Sequence, residues 1–225
     1  MRAPPRVRGG LPARFASLIA GILLFAVGIV LQLESELGLS PWDVLHQGIS
    51  EHTPLSFGAA NIVVSLTAVA VAWRLGARIG LATIANGLLV GAFIELLTSI
   101  GAVERLSDWP LGPRIGLLVA AIPLIGIASA LYLGADMGAG PRDSLMVVGA
   151  QRTRFRIGAV RAALELCALA AGFTLGGKVG IGTLAFALLV GPAVEAGFWL
   201  LQRSPIGAPP RAGAAIPSPA RPARW

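Results

Sequence analysis

The chain alternates six long apolar stretches with shorter polar ones. The stretches run at 14–33, 57–73, 79–100, 114–134, 157–173 and 179–201, and a helix needs about 20 apolar residues to cross a bilayer. The pattern predicts six transmembrane helices. Between the first and second stretches, and between the fourth and fifth, lie segments 37–50 and 137–150. Their apolar residues (Trp42, Leu45 and Ile49; Leu145 and Val148) support about three helical turns, too few to span. Each segment reads as a short re-entrant or interfacial helix. The first stretch follows an Arg-bearing N-terminus but is long for a signal-peptide core. The residues at 32–36 offer no small-residue cleavage site, so the stretch reads as a retained helix.

Composition supports this class. Hydrophobic residues make up 55% of the 225 and charged residues 13%, against about 25% charged in an ordinary soluble domain. Such a chain cannot cover its surface in water, which excludes a soluble globular enzyme. The net charge of +7 acquires its meaning from position. Arg2, Arg6, Arg8 and Arg14 precede the first stretch, Arg74 and Arg78 follow the second, and Arg105 and Arg114 flank the next connection. Arg142, Arg152, Arg154, Arg156 and Arg161 come next, then Lys178, and finally Arg203, Arg211, Arg221 and Arg224. Segment 34–56 has no Lys or Arg. With six spans and both termini cytoplasmic, 15 of the 18 basic residues fall inside, as the positive-inside rule requires. The charge is a topological label and does not point to nucleic acid. The single cysteine, Cys167, allows no intrachain disulfide.

An offset of one hundred residues aligns 14–100 with 114–200 without a gap, with 27 of the 87 pairs identical. Matches at polar and glycine positions carry the most information: Arg14/Arg114, Gly38/Gly138, Pro41/Pro141, Asp43/Asp143, Gly58/Gly158, Thr83/Thr183, Gly91/Gly191 and Glu95/Glu195. The chain reads as a tandem duplication. Three spans per copy is an odd number, so the second copy is expected upside down relative to the first. The fold expected is an all-α membrane protein with six transmembrane helices in two inverted three-helix repeats. Its parts are an N-terminal cytoplasmic tail at 1–13, repeats at 14–100 and 114–201, a connecting loop at 101–113, and a disordered cytoplasmic tail at 202–225.

Within the repeats, Gly38-Leu-Ser-Pro41-Trp42-Asp43 and Gly138-Ala-Gly-Pro141-Arg142-Asp143 are the most specific motifs. Proline suits the first helical position and aspartate the first turn. The paired short helices either point their free N–H groups and acids toward a central path, or the aspartates simply cap their own helices. Glu95 and Glu195 lie about 1.5 turns inside their spans, where an ionisable group is a functional candidate unless it snorkels. Asp43 with Glu95, and Asp143 with Glu195, could form one acid pair per half. Arg161 and Glu165, where the first copy has Asn61 and Ser65, either neutralise each other as an i,i+4 pair or belong to the solute path and break its symmetry. Gly76-x-x-x-Gly80, Gly176-x-x-x-Gly180 and Gly87-x-x-x-Gly91 read as helix-packing motifs. His46 and His52 are expected outside the membrane and, lacking further ligands, make no metal site. There is no Walker loop, nucleophile elbow or dinucleotide fingerprint, so no enzyme and no cofactor are expected.

On Gly38-Leu-Ser-Pro-Trp-Asp-Val-Leu-His-Gln-Gly48, Leu55-Ser-Phe-Gly58, Gly80-Leu-Ala-Thr83 and Leu88-Leu-Val-Gly91 followed by Glu95, the chain resembles the YczE branch of the YczE/YyaS/YitT-like bacterial membrane proteins. The likeness covers about 14–200 and implies a multi-pass protein of the bacterial inner membrane. It implies no substrate.

The residues themselves point to a secondary transporter or permease of a small solute, proton-coupled through Asp43, Asp143, Glu95 and Glu195. The alternative is a non-transporting scaffold or accessory subunit of a membrane complex or secretion pathway. Expected partners are the lipid bilayer, a small solute and, as a further option, a second copy of the chain.

Overall fold

A computed structural model describes residues 5–100 and 106–209. It contains eight helices among them: α1 (Leu11–Ser35), α2 (Pro41–His52), α3 (Phe57–Arg74), α4 (Leu81–Thr98), α5 (Leu111–Gly134), α6 (Pro141–Thr153), α7 (Ile157–Thr174) and α8 (Ile181–Arg203). Six of them, all but α2 and α6, are long and apolar enough to cross a membrane. They coincide with the six predicted stretches to within a few residues. Large apolar side chains such as Leu88, Leu166, Leu184 and Leu188 stand exposed on their outer faces, as a lipid-facing surface requires.

The eight helices fall into two sets of four whose boundaries differ by close to one hundred residues throughout. α1 and α5 are the central pair. Gly21 and Gly28 admit the α5 backbone and Ile125, where an added Cβ would lie 2.7 Å from Tyr132 N and 2.5 Å from Ile125 Cγ1. Leu18, Ile22, Ile29, Val90 and Ile94 form the apolar core where α1, α4 and α5 meet. α2 packs on α7, and α6 on α3, so each short helix docks onto the opposite set.

Contacts between the sets come in exchanged pairs. Arg14 Nε donates to Ala135 O at 2.7 Å, and Arg114 Nε to Ser35 O at 2.9 Å. Ala82 N–H donates to Met137 O at 3.1 Å, and Gly182 N–H to Leu37 O at 2.7 Å. Glu36 and Asp136 both end helices with positive φ (50° and 54°). Arg114 and Lys178 reach the former, Arg6 and Arg14 the latter.

Two expectations change here. Gly76 and Gly176 lie in the turns after α3 and α7, at φ 93° and 81°. A left-handed residue just past a helix end is a C-terminal stop, so these glycines do not line a helix face. Gly80 and Gly180 are extended residues preceding α4 and α8, where a Cβ would meet Met137 O at 2.6 Å and Leu37 O at 2.4 Å. The close approach is real, but it joins connecting segments. Gly87 and Gly91 do lie on a helix and face α3.

The start of the C-terminal tail, expected to be disordered, is ordered as far as it is described: β2 (Gly207–Ala208) pairs antiparallel with β1 (Arg6–Val7), and the rest of that tail, 210–225, lies outside the described residues. Arg2, Arg105, Arg211, Arg221 and Arg224 lie outside the described residues.

Candidate functional site

α2 and α6 begin in the same way. Pro41 and Pro141 occupy the first helical turn, after Ser40 and Gly140 as N-caps, where the missing proline N–H costs nothing. Gly38 and Gly138 precede them at φ 116° and 132°, a conformation that glycine adopts without strain. Thr83 fixes the approach of the second motif: its hydroxyl donates to Ala139 O at 2.6 Å and accepts from Gly80 N–H at 3.3 Å.

The two helix starts converge on a cavity of about 170 Å³ at the centre of the molecule. Residues matched across the one-hundred offset line it in pairs, among them Pro41 with Pro141, Trp42 with Arg142, and Asn61 with Arg161. Ser65 and Glu165 form another such pair. The first half contributes neutral groups and the second half contributes charged ones. Arg142 lies over the Trp42 ring, 5.2 Å from its centroid, a cation–π geometry. Arg161 Nε donates to Glu165 Oε1 at 2.9 Å, the i,i+4 pair expected, here on the cavity wall. Asp143 also lines the cavity, and the Tyr132 hydroxyl donates to its Oδ2 at 3.1 Å.

Asp43 sits behind this wall and is buried. Its N–H caps back onto Ser40 Oγ at 3.4 Å, and the Ser40 hydroxyl donates to Oδ2. Its Oδ1 lies 3.1 Å from His46 Nδ1 and 3.7 Å from an Arg142 guanidinium nitrogen. Burial alone would raise the Asp43 carboxyl. The His46 hydrogen bond, Arg142 and Ser40 together outweigh it and hold the pKa below the ordinary aspartate value. Burial, with the Arg142 charge beside it, lowers the His46 imidazole by more than Asp43 raises it. The pair is thus a carboxylate with a neutral imidazole.

His46 is fully buried on α2, and its ring packs edge-on against Phe57, with ring centroids 6.0 Å apart. Asn61 Nδ2 lies 3.2 Å from the same Nδ1. Asn61 Oδ1 and His46 Nε2 are buried without a hydrogen-bond partner among the described residues. Buried polar atoms are nearly always satisfied, so Asn61, a residue of the cavity lining, carries unused hydrogen-bonding capacity on a buried oxygen.

Sequence reasoning passed over His46, Asn61 and Tyr132. The i,i+3 spacing of Asp43 and His46 on one helix was the available signal for the first. The Asn61/Arg161 correspondence was visible as a broken match. Nothing local marks Tyr132.

The glutamates lie elsewhere. Glu95 Oε1 accepts the Gly58 N–H at 2.8 Å, at the start of α3, and does not line the cavity. Glu195 is exposed on α8. The structure shows neither an Asp43–Glu95 nor an Asp143–Glu195 contact among the described residues. Asp43 is spoken for by Ser40, His46 and Arg142, and Asp143 by Tyr132.

Residues 12–197 match the model of a family described as a family of unknown function (DUF6198). A protein of Haemophilus influenzae, described as uncharacterized, is 38% identical over 190 residues, covering 82% of this chain and 85% of that protein. The uncharacterized membrane protein YczE of Bacillus subtilis is 33% identical over 148 residues, covering 64% of this chain and 66% of its own length. YyaS of the same organism is 27% identical over 135 residues, covering 57% and 64%. No solved structure matches.

Proposed function

The chain belongs to the DUF6198 family of membrane proteins, and on that footing we propose that it is a permease for a small polar solute. The solute would occupy the cavity between α2 and α6. The observation that carries this reading is that cavity. It is lined by matched residues from both sets of helices, Asn61 and Arg161 among them.

The reading includes an inverted duplication. Support comes from the ungapped one-hundred-residue alignment, the odd number of spans per copy and the exchanged contact pairs. When residue i meets j+100 and residue i+100 meets j, the relation is that of a two-fold axis. Transporters built this way bind solute at the repeat interface, facing helix N-termini that begin within the membrane. α2 and α6, taken as re-entrant, supply such N-termini. In α6 the Arg142 and Asp143 N–H groups lack a side-chain cap and so favour an anionic or acceptor group on the solute. Arg161, Glu165 and Asp143 give the same cavity both signs of charge, which suits a zwitterion. Asp143 is the acid placed to carry a proton with the solute.

The basic residues put both termini in the cytoplasm, as the positive-inside rule has it. The reading places the chain in a bacterial cell membrane, in keeping with the membrane protein YczE to which it is similar.

A non-transporting scaffold would be expected to fill its centre with side chains, and the cavity weighs against it. The test is uptake of labelled amino acids, small organic acids and polyols into proteoliposomes. Saturable uptake of any one supports a permease. None above protein-free liposomes across the panel would return the chain to the scaffold reading.

A further inference from the structure

The two halves are built from the same residues but are closed differently. Where α3 meets α4, a Cβ on Gly58 would lie 2.4 Å from Gly91 O, and one on Gly91 would lie 2.4 Å from Gly58 O. Only glycine lets these backbones touch, and Glu95 adds its bond to the Gly58 N–H at 2.8 Å. This junction is sealed.

The matched residues Gly158, Gly191 and Glu195 make none of these contacts. A Cβ on Gly158 or Gly191 would meet nothing within 4 Å. Glu195 is exposed and has no hydrogen-bond partner among the described residues. α3 runs packed along α4, whereas α7 and α8 have no comparable packing. Of the apolar windows of α3 and α4, 33% is buried, against 11% for α7 and α8. The cavity abuts this gap, lined by Leu164 and Glu165 of α7 and by Val190 and Val194 of α8. The three residues are identical in both copies, so the difference does not originate at these positions themselves.

The two junctions also sit toward opposite ends of the molecule. α8 ends beside the paired terminal strands, and Glu195 is in its C-terminal half. α4 begins at the segment touching Met137, on that same face, and Glu95 lies toward its far end.

We infer that Gly58–Gly91–Glu95 and Gly158–Gly191–Glu195 are two latches that close in alternation, exposing the cavity first to one face and then to the other. This structure is latched at the first set and open at the second. In the exchanged state α7 packs on α8, Gly158 meets Gly191, and Glu195 accepts the Gly158 N–H, while α3 and α4 separate. A carboxylate suits the latch because Glu95 reaches the start of α3, as Glu195 would reach that of α7 in the exchanged state, where N–H groups are unpaired and the dipole favours negative charge. The inference rests on the permease reading, since alternation has no purpose in a scaffold.

The test uses the full chain in oriented membranes and an impermeant maleimide, with Cys167 replaced by alanine. Val194→Cys reports the open side. Ile94→Cys, its buried counterpart beside Glu95, reports the latched side. Val194→Cys is expected to react from the face that carries the termini, and Ile94→Cys from the opposite face whenever the exchanged state is visited. Adding Gly191→Val fits the present structure but blocks the second latch. It should slow Ile94→Cys labelling about tenfold or more and leave Val194→Cys labelling undiminished.

Equal Ile94→Cys rates with and without Gly191→Val would overturn the latch assignment while leaving alternating exposure intact. Ile94→Cys inert from the far face in both backgrounds would overturn the alternation, and solute uptake would then judge the permease reading separately. A Gly191→Val chain that fails to fold would contradict the open packing on which the inference stands. Gly158→Val repeats the test from the other helix.

Discussion

Arg142 stacks on Trp42, its Cζ 5.2 Å from the ring centroid, although the two residues occupy equivalent positions in the two halves of the sequence. Under a two-fold relation equivalent positions touch only beside the axis, so this contact marks the centre of the proposed dyad. The same guanidinium reaches 3.7 Å from Asp43 Oδ1, which ties the stack to the buried carboxylate. Trp42→Leu should lower stability by about 0.5–2 kcal/mol, the range of a cation–π contact. Arg142→Met should cost about 1–3 kcal/mol, because it also removes a partner of buried Asp43. The double variant should cost less than the sum. Denaturation in detergent measures all three, and strict additivity would contradict a shared contact.

Acid should weaken the fold in two stages. His46 has a lower pKa folded than unfolded, so the unfolded chain binds the extra proton and stability falls as pH drops below the ordinary value of 6.5. Asp43, also lowered, contributes stability that is present above its ordinary value of 3.8 and lost as pH falls through its lower folded value. The melting temperature should hold above pH 6.5 and decline below it. His46→Gln should abolish the first decline. A wild-type melting temperature unchanged down to about pH 5 would contradict a buried neutral imidazole.

The matched glutamates and glycines should answer differently to the same substitution. Gly58→Val forces a Cβ against Gly91 O and should cost about 1–3 kcal/mol or more. Gly158→Val meets open space and should stay within about 0.5 kcal/mol. Glu95→Leu removes the acceptor for the Gly58 N–H and should cost about 1–3 kcal/mol, while Glu195→Leu should cost little. Equal effects within either pair, read by thermal melting, would mean that the two junctions are equally packed.

The helices were legible in the sequence because membrane spans are written in long apolar runs and the proline starts in local chemistry. Trp42, Arg142 and Asp143 were legible for the same reason, as parts of a repeated motif. The Gly76 and Gly176 stops were misread because Gly-x-x-x-Gly spacing is the same whether or not a helix runs through it. The burial of His46 was not legible because the sequence does not reveal that Phe57 and Asn61 pack against α2. The difference between Glu95 and Glu195 could not be read at all, since identical residues occupy the two positions and only packing distinguishes them.

The central claim is that a small polar solute passes through the cavity between α2 and α6. Its most direct test is uptake into proteoliposomes by the wild-type chain beside Asn61→Leu, which removes the unsatisfied amide from the wall, and Asp143→Asn. The account predicts saturable uptake of at least one amino acid, organic acid or polyol, slowed about tenfold or more in Asn61→Leu and uncoupled from a pH gradient in Asp143→Asn. Uptake no greater than in protein-free liposomes, from wild-type protein that shows the acid-sensitive melting of the folded chain, would contradict it.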